Sequence, residues 1–407
     1  MACCAAGFSA AAPDEDKLGK AQDYPVGNAK NWSTAERVRV GSFSAQGEIA
    51  GVYGGRVQVM PPSRNPMPLP RADHEPAFRW SLRDARDLTI DDYLARQRVM
   101  GLLIIKDGVV QVERYQYART AQHRFVSQSM AKSITSLAVG IALRDGKIRS
   151  LDDRADHYAS NLSGTLLGET SIRNLLRMAS GAKFVENYSG HDDAARFATT
   201  LFNDGIVSAI ATITEREAPQ GSRFSYFTAQ TQALSAVLQA ATGSSVSDYL
   251  ATRLWQPIGA ETSALWWADK HGVTVGGSAF NATLRDYGRL GIVLANDGVR
   301  PDDANRRAII PRDYLLDATD WHRADAPFRP GYDKRYYGYG YQFWLFPGER
   351  RRFAMLGVFG QLLFVDPSLK LVMVQTAANA TAKASDTSLA READALWRGL
   401  VRHYGAW

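Results

Sequence analysis

The sequence predicts an α+β fold: an antiparallel sheet flanked by helices, an α/β sandwich, with a mostly helical domain inserted into it. Three observations carry that expectation. A strand pair turns at Asp107-Gly108, a second turns at Asp366-Pro367-Ser368, and the chain between them is helix-rich and broken by polar loops. Hairpins at both ends of a helical middle are the pattern of one sheet whose strands come from both termini. The expected division is 1–75 as N-terminal extension and Pro-rich connector, 76–150 with 276–407 as the sheet domain, and 151–275 as the helical domain.

Met1 to Ala12 is small and apolar, followed by the charged run Pro13 to Lys17. It resembles the tail of a secretory leader that lacks its basic start and most of its apolar core, and a disordered terminus fits equally well. The compartment is therefore open, periplasmic or secreted on the first reading and cytoplasmic on the second. Residues 13–75 are polar and turn-rich and end in the Pro-rich stretch Pro61 to Pro70, a stiff connector after which the core is expected to begin. Thr89 to Gly101 has helical spacing at Ile90, Tyr93 and Leu94, with Thr89 as its cap. Leu102 to Lys106 and Val109 to Tyr115 form the first hairpin. Ser129 opens an apolar helical pattern through Ile134, Leu137 and Ile141 that closes at Asp145-Gly146. A short helix is expected over Ile172 to Met178 and a strong one through Leu234 to Ala241, ended by Gly243. Gln361 to Val365 and Leu371 to Thr376 make the second hairpin, and Ala390 to Tyr404 a final amphipathic helix.

Composition removes several classes of function. A chain of 407 residues at 45% hydrophobic content can bury a large core, which excludes a disordered protein. No apolar run approaches the ~20 residues of a membrane span. Lys+Arg 48 against Asp+Glu 42 leaves +6, scattered without a basic stripe, so no nucleic-acid partner is expected. Cys3 and Cys4 are adjacent and terminal, too few for a disulfide framework or a cysteine zinc site. The 7 histidines are dispersed, so no metal site and no metal cofactor are expected. There is no Gly-x-Ser-x-Gly elbow, no Walker A loop and no dinucleotide fingerprint.

Ser-x-x-Lys occurs twice, as Ser129–Lys132 and Ser180–Lys183. A pattern this short arises by chance about once or twice in a chain of this length, so context must separate the copies. Ser129 stands at a helix start, near free N–H groups and the positive end of the helix dipole. Lys132 lies one turn on, along the same face, and a desolvated lysine there can accept the serine proton. The alternative is an N-capping serine beside a solvated lysine. Ser180–Lys183 contains Gly181 and follows a helix end, so it reads as a C-terminal turn. Tyr226 precedes a helix in Phe224-Ser-Tyr-Phe-Thr228; it is either a proton shuttle beside Lys132 or a core aromatic. Gly357-Val-Phe-Gly360-Gln361 leads into a strand, where Gly360 lets a substrate approach the backbone or merely marks a strand edge. On the first reading, the N–H groups of Gln361 and Ser129 can together form an oxyanion hole.

These three elements in this order resemble the serine β-lactamase superfamily, in the class C-like branch that also holds penicillin-binding proteins and esterases. Leu175 to Gly181, Gly276-Gly277 followed by Leu284 to Leu290, and Tyr337 to Trp344 echo the same family over roughly residues 85–405. The resemblance implies the β-lactamase/transpeptidase-like fold and acyl transfer without a cofactor. Ser129 is then the nucleophile, Lys132 the base and Tyr226 its partner. Two departures matter. Tyr226-Phe-Thr228 stands where class C enzymes carry Tyr-x-Asn, and Val358-Phe359-Gly360 where they carry Lys-Thr-Gly. The lysine missing from the third motif is the one that would hold the carboxylate of a β-lactam.

Within the superfamily the chain is most similar to 6-aminohexanoate-dimer (nylon oligomer) hydrolases and related carboxylesterases. Phe224 to Thr231, Gly360-Gln361 before Asp366-Pro367, and Glu186-Asn187-Tyr188 carry that likeness. It implies a serine hydrolase for small-molecule esters or linear amides, with Tyr188, Thr228, Phe359, Gly360 and Trp344 as substrate contacts. Phe359 replaces that group's histidine. Trp266 and Trp267 fit either a cleft wall or the core. The alternatives are a β-lactamase or DD-peptidase, and a catalytically silent interaction protein; the sequence leaves oligomeric state unread.

Overall fold

A strand with one wet face alternates apolar and polar residues, whereas the runs from 99 and from 361 are apolar in both parities. Both faces of their sheet are covered. The computed structural model describes residues 12–49, 55–383 and 391–407. Residues 1–11, with Cys3, Cys4 and most of the segment read as a leader remnant, lie outside the described residues, as does Ala390. In chain order the strands are β1 (Arg56–Met60), β2 (Val99–Lys106), β3 (Val109–Tyr115), β4 (Arg124–Val126), β5 (Ala264–Ala268), β6 (Phe280–Thr283), β7 (Gly338–Tyr339), β8 (Trp344–Leu345), β9 (Phe353–Gly357), β10 (Gln361–Asp366) and β11 (Leu371–Ala377). The helices are α1 (Arg39–Ser44), α2 (Ile90–Arg96), α3 (Met130–Arg144), α4 (Ile172–Leu176), α5 (Asp193–Asp204), α6 (Ile206–Ala211), α7 (Ala229–Thr242), α8 (Val246–Leu250), α9 (Leu284–Ala295), α10 (Arg312–Thr319) and α11 (Glu392–Tyr404).

The main sheet is antiparallel, in the order β3-β2-β11-β10-β9-β8-β7, so strands from both ends of the chain do meet at its centre. Leu363, Val365, Val372 and Val374 point into the larger core with α3 and α9. Leu362, Phe364, Leu371 and Met373 point the other way, against α2 and α11. The α+β class and both hairpins are as the sequence predicts.

Three local expectations change. The helix opened by Thr89 ends at Arg96, because β2 already begins at Val99; its capping box with Asp92 is present. The helix from Ile172 ends at Leu176, and Met178 takes a left-handed φ of 56°. The core does not wait for the Pro-rich connector. Leu18, Trp32, Val40 and Phe43 are buried in the larger core, and β1 pairs with β5 in a second sheet, β1-β5-β6-β4. Polar turn residues outnumber the apolar ones in 13–60, which hid these anchors from a compositional reading. Trp266 and Trp267 are core residues, at 0% and 3% exposure, rather than cleft walls.

Trp397 seats α11 on the sheet and is fully buried, with Phe364 5.6 Å away ring to ring. Trp397→Ala is expected to cost about 3–5 kcal/mol, read as a lowered midpoint of thermal or denaturant unfolding. A midpoint equal to the parent's would remove α11 from the account of what holds the sheet.

Candidate active site

Helix α3 is almost wholly inside the protein, although four of its first seven residues are polar. Each finds a partner. Ser133 Oγ donates to the Gln342 carbonyl (2.6 Å), Thr135 Oγ1 to the Gly276 carbonyl (2.9 Å), and Ser136 Oγ meets the Tyr314 hydroxyl at 2.8 Å. The fourth is Lys132, which is 1% exposed. Its Nζ lies 2.9 Å from Ser129 Oγ and 2.8 Å from the Gly277 carbonyl oxygen. Gly277 is needed there, since a Cβ would come within 2.5 Å of Thr228 Cγ2.

Ser129 occupies the N-cap of α3, yet its side chain makes no capping hydrogen bond. The hydroxyl faces Lys132 instead. The preceding residue, Gln128, has a φ of 45°, a left-handed conformation that turns the chain sharply into the helix. Burial pulls the Lys132 ammonium down from 10.5 to about 8, while the Glu186 carboxylate pulls in the opposite direction.

Tyr226 sits in the loop before α7, with its ring centroid 5.2 Å from Lys132 Nζ. Burial and then Glu186 raise its phenol well above 10, and a hydrogen bond with the Ser129 side chain partly offsets them. Trp344 packs against the Tyr226 ring at 5.4 Å and Tyr339 at 6.0 Å. Behind it, Ser225 N–H donates to the Met178 carbonyl (2.7 Å), and Gln230 bridges the Ser225 carbonyl and the Ser180 N–H. The Leu175–Gly181 echo is therefore the backing of the Tyr226 loop.

Glu186, which the sequence reading quotes beside Tyr188 without giving it a role, joins the two loops of the site. Its carboxylate accepts the Thr228 N–H (2.6 Å), the Thr228 hydroxyl (2.9 Å) and the Tyr188 hydroxyl (2.9 Å). Thr228 is thereby engaged within the protein. Tyr188 is 38% exposed, its backbone left-handed at φ 65°, and Lys383 Nζ stands 5.5 Å from its ring. The only signal in the sequence was the proximity of Glu186 to Tyr188.

The third motif reaches the same place from the sheet. A Cβ on Gly357 would meet the Ser127 carbonyl at 2.5 Å, so the end of β9 lies directly against the loop that leads to Ser129. Phe359 and Gly360 both take positive φ, 63° and 90°, in the turn before Gln361. The Gln361 side chain clamps that turn to β11, donating to the Ala377 carbonyl (2.7 Å) and accepting its N–H (3.0 Å). The second Ser-x-x-Lys is elsewhere: Ser180 is buried, and Lys183 pairs with Glu215 at the surface. Among the described residues no three His, Cys, Asp or Glu side chains converge as a metal site, and no helix is long and apolar enough to cross a membrane.

A buried amine touching a serine hydroxyl, with a phenol beside both, can pass a proton from the hydroxyl and return it to a departing group. A family model described as Beta-lactamase matches residues 87–396. The 6-aminohexanoate-dimer hydrolase of Paenarthrobacter ureafaciens is similar, at 23% identity over 313 residues that cover 75% of this chain and 79% of that protein. A solved Bacillus anthracis protein, described as a candidate 6-aminohexanoate-dimer hydrolase, matches with a TM-score of 0.79 at 21% identity, over 92% of this chain and 96% of that one. EstCE1, described as a hydrolase with promiscuous acyltransferase activity, matches at 0.58 and 16% identity, over 75% and 94%.

The balance at Lys132 can be measured directly. Heteronuclear NMR of its Nζ is expected to show a midpoint near 8, and Glu186→Gln is expected to lower it, because the lost carboxylate favoured the ammonium. A midpoint near 10.5 in the parent would mean that water reaches the amine.

Proposed function

This chain belongs to the beta-lactamase family, and from that premise we propose that it is a serine hydrolase acting on small esters or linear amides through an acyl-enzyme. The observation that carries the reading is the 2.9 Å contact between Ser129 Oγ and a lysine nitrogen withdrawn from water. Neutral Lys132 takes the Ser129 proton, and Oγ attacks the substrate carbonyl carbon. The N–H groups of Ser129 and Gln361 are assigned to the oxyanion. As the intermediate collapses, the C–O or C–N bond breaks and the leaving group takes its proton from Lys132, with Tyr226 relaying it. Water then attacks the acyl carbonyl and gives a proton to the same pair; the acyl C–Oγ bond breaks, Ser129 Oγ takes that proton back, and the acid is released. Tyr188, Phe359, Gly360 and Trp344 are the proposed walls of the substrate site, with Thr228 behind them holding Glu186.

The replacement of the third motif's lysine by Val358 leaves no cation at that position of the motif to hold a β-lactam carboxylate. This favours linear substrates. The similarity to the Paenarthrobacter hydrolase points the same way, and Phe359 in place of its group's histidine is a reason to expect a different preference among them.

Purified protein is expected to hydrolyse p-nitrophenyl acyl esters, to be labelled by a fluorophosphonate at Ser129 and not at Ser180, and to lose both properties in Ser129→Ala. Activity persisting in that variant refutes the assignment, and nitrocefin turnover above ester turnover transfers it to a β-lactamase. The pH profile supplies a further check. The base works only as the free amine, so kcat/KM should rise with pH through a midpoint near 8 and show no falling limb from Tyr226 below 10. A profile that is flat from 6 to 9 would take Lys132 out of the mechanism.

A further inference from the structure

We propose that Arg39, which lies ahead of the family-matched residues 87–396, is a positioning residue for the Phe359–Gly360 turn and so for the Gln361 N–H. The inference rests on the role given to that N–H under the proposed function. Arg39 is 4% exposed, and its hydrogen bonds run to main-chain carbonyls: Nη1 to Asn379 (2.7 Å) and Ala380 (3.2 Å), Nε to Ser33 (3.2 Å). Its guanidinium carbon stands 4.5 Å from the centroid of the Phe359 ring, and Phe43 of the same helix packs against that ring at 5.4 Å.

The Asn379 and Ala380 carbonyls belong to a strap over the turn. Phe359 N–H donates to the Ala382 carbonyl (3.0 Å), and Asn379 N–H donates to the Phe359 carbonyl (3.1 Å). Phe359 needs such restraint, since a left-handed φ is strained for an aromatic residue. Gly360 follows at φ 90°, where a Cβ would lie 2.6 Å from Asn379 Nδ2. The turn is thus gripped on one side by the Gln361 side chain and on the other by Arg39 through ring and strap. A buried guanidinium costs too much to serve as filler, and two of the three carbonyls this one holds, with the ring it faces, belong to that turn and its strap. Without it Phe359 can relax, and the Gly360–Gln361 peptide turns away from the position an oxyanion would take. Displacements of about 0.5 Å suffice to weaken such a donor.

The test uses full-length Arg39→Ala and Arg39→Lys. Loss of a donor acting on the transition state should lower kcat for a p-nitrophenyl ester about 10- to 100-fold in Arg39→Ala. KM should change less than kcat, although Phe359 and Gly360 also wall the proposed substrate site, and the pH midpoint near 8 should not move, because Lys132 is not touched. Added guanidinium should restore part of the kcat. Unchanged kcat in folded Arg39→Ala, or a loss confined to KM, overturns the proposal. If Arg39→Ala does not fold, Arg39→Lys decides by the same criteria, since an ammonium cannot both span the carbonyls and stack on Phe359. Hydrogen exchange gives a readout independent of activity: the Phe359 and Asn379 amides should exchange faster in either variant, and parental rates there overturn the proposal. A parent without Ser129-dependent hydrolysis would instead sink the proposed function, while the exchange result would still decide whether Arg39 holds the turn.

Discussion

An amine kept from water beside a hydroxyl is the condition on which the rest of this molecule turns. Moving Lys132 from 10.5 to about 8 corresponds to a preference against the charged form, relative to water, on the order of 3 kcal/mol. That preference exists only while the amine is dry. Dryness requires α3 to be enclosed, and an enclosed helix must bond every polar side chain it carries to the protein. Ser133, Thr135 and Ser136 do so through Gln342, Gly276 and Tyr314, residues far away in sequence. The chemistry and the packing of α3 are therefore a single requirement.

Opposing charge keeps that amine from becoming too weak a base. Glu186 supplies it, and the same carboxylate fastens Thr228 and Tyr188, so the loop carrying Tyr188 is bonded to the entry to α7. Gln342 performs the equivalent service lower down. It joins the α4 carbonyls of Leu175 and Leu176 to Thr231 of α7, while its own carbonyl holds Ser133 of α3. Desolvation lowers the affinity of Lys132 for a proton, and one nearby carboxylate limits the fall.

Much of this was legible in the residues. Both hairpins announced themselves through turn chemistry at Asp107-Gly108 and Asp366-Pro367, and helix α3 through its apolar period. The two Ser-x-x-Lys copies lie where their helix positions suggest, Ser129 at the start of the buried α3 and Ser180 beyond the end of α4 with Lys183 at the surface. What stayed hidden depends on pairings distant in sequence. The Gly277 carbonyl on Lys132, Glu186 between two loops and Arg39 behind Phe359 have no local period or spacing to betray them. The same holds for β1, an exposed-looking strand whose partner is β5, and for the buried anchors scattered through a polar-looking start.

The pairing of β2 with β11 has a bearing on biogenesis. Gly101 finds its partner in Thr376, so the centre of the sheet cannot close until the chain has been made as far as β11. Until then α3 has no completed wall on its sheet side. A chain that stops short of β10 and β11 thus lacks the sheet wall on which α3 packs.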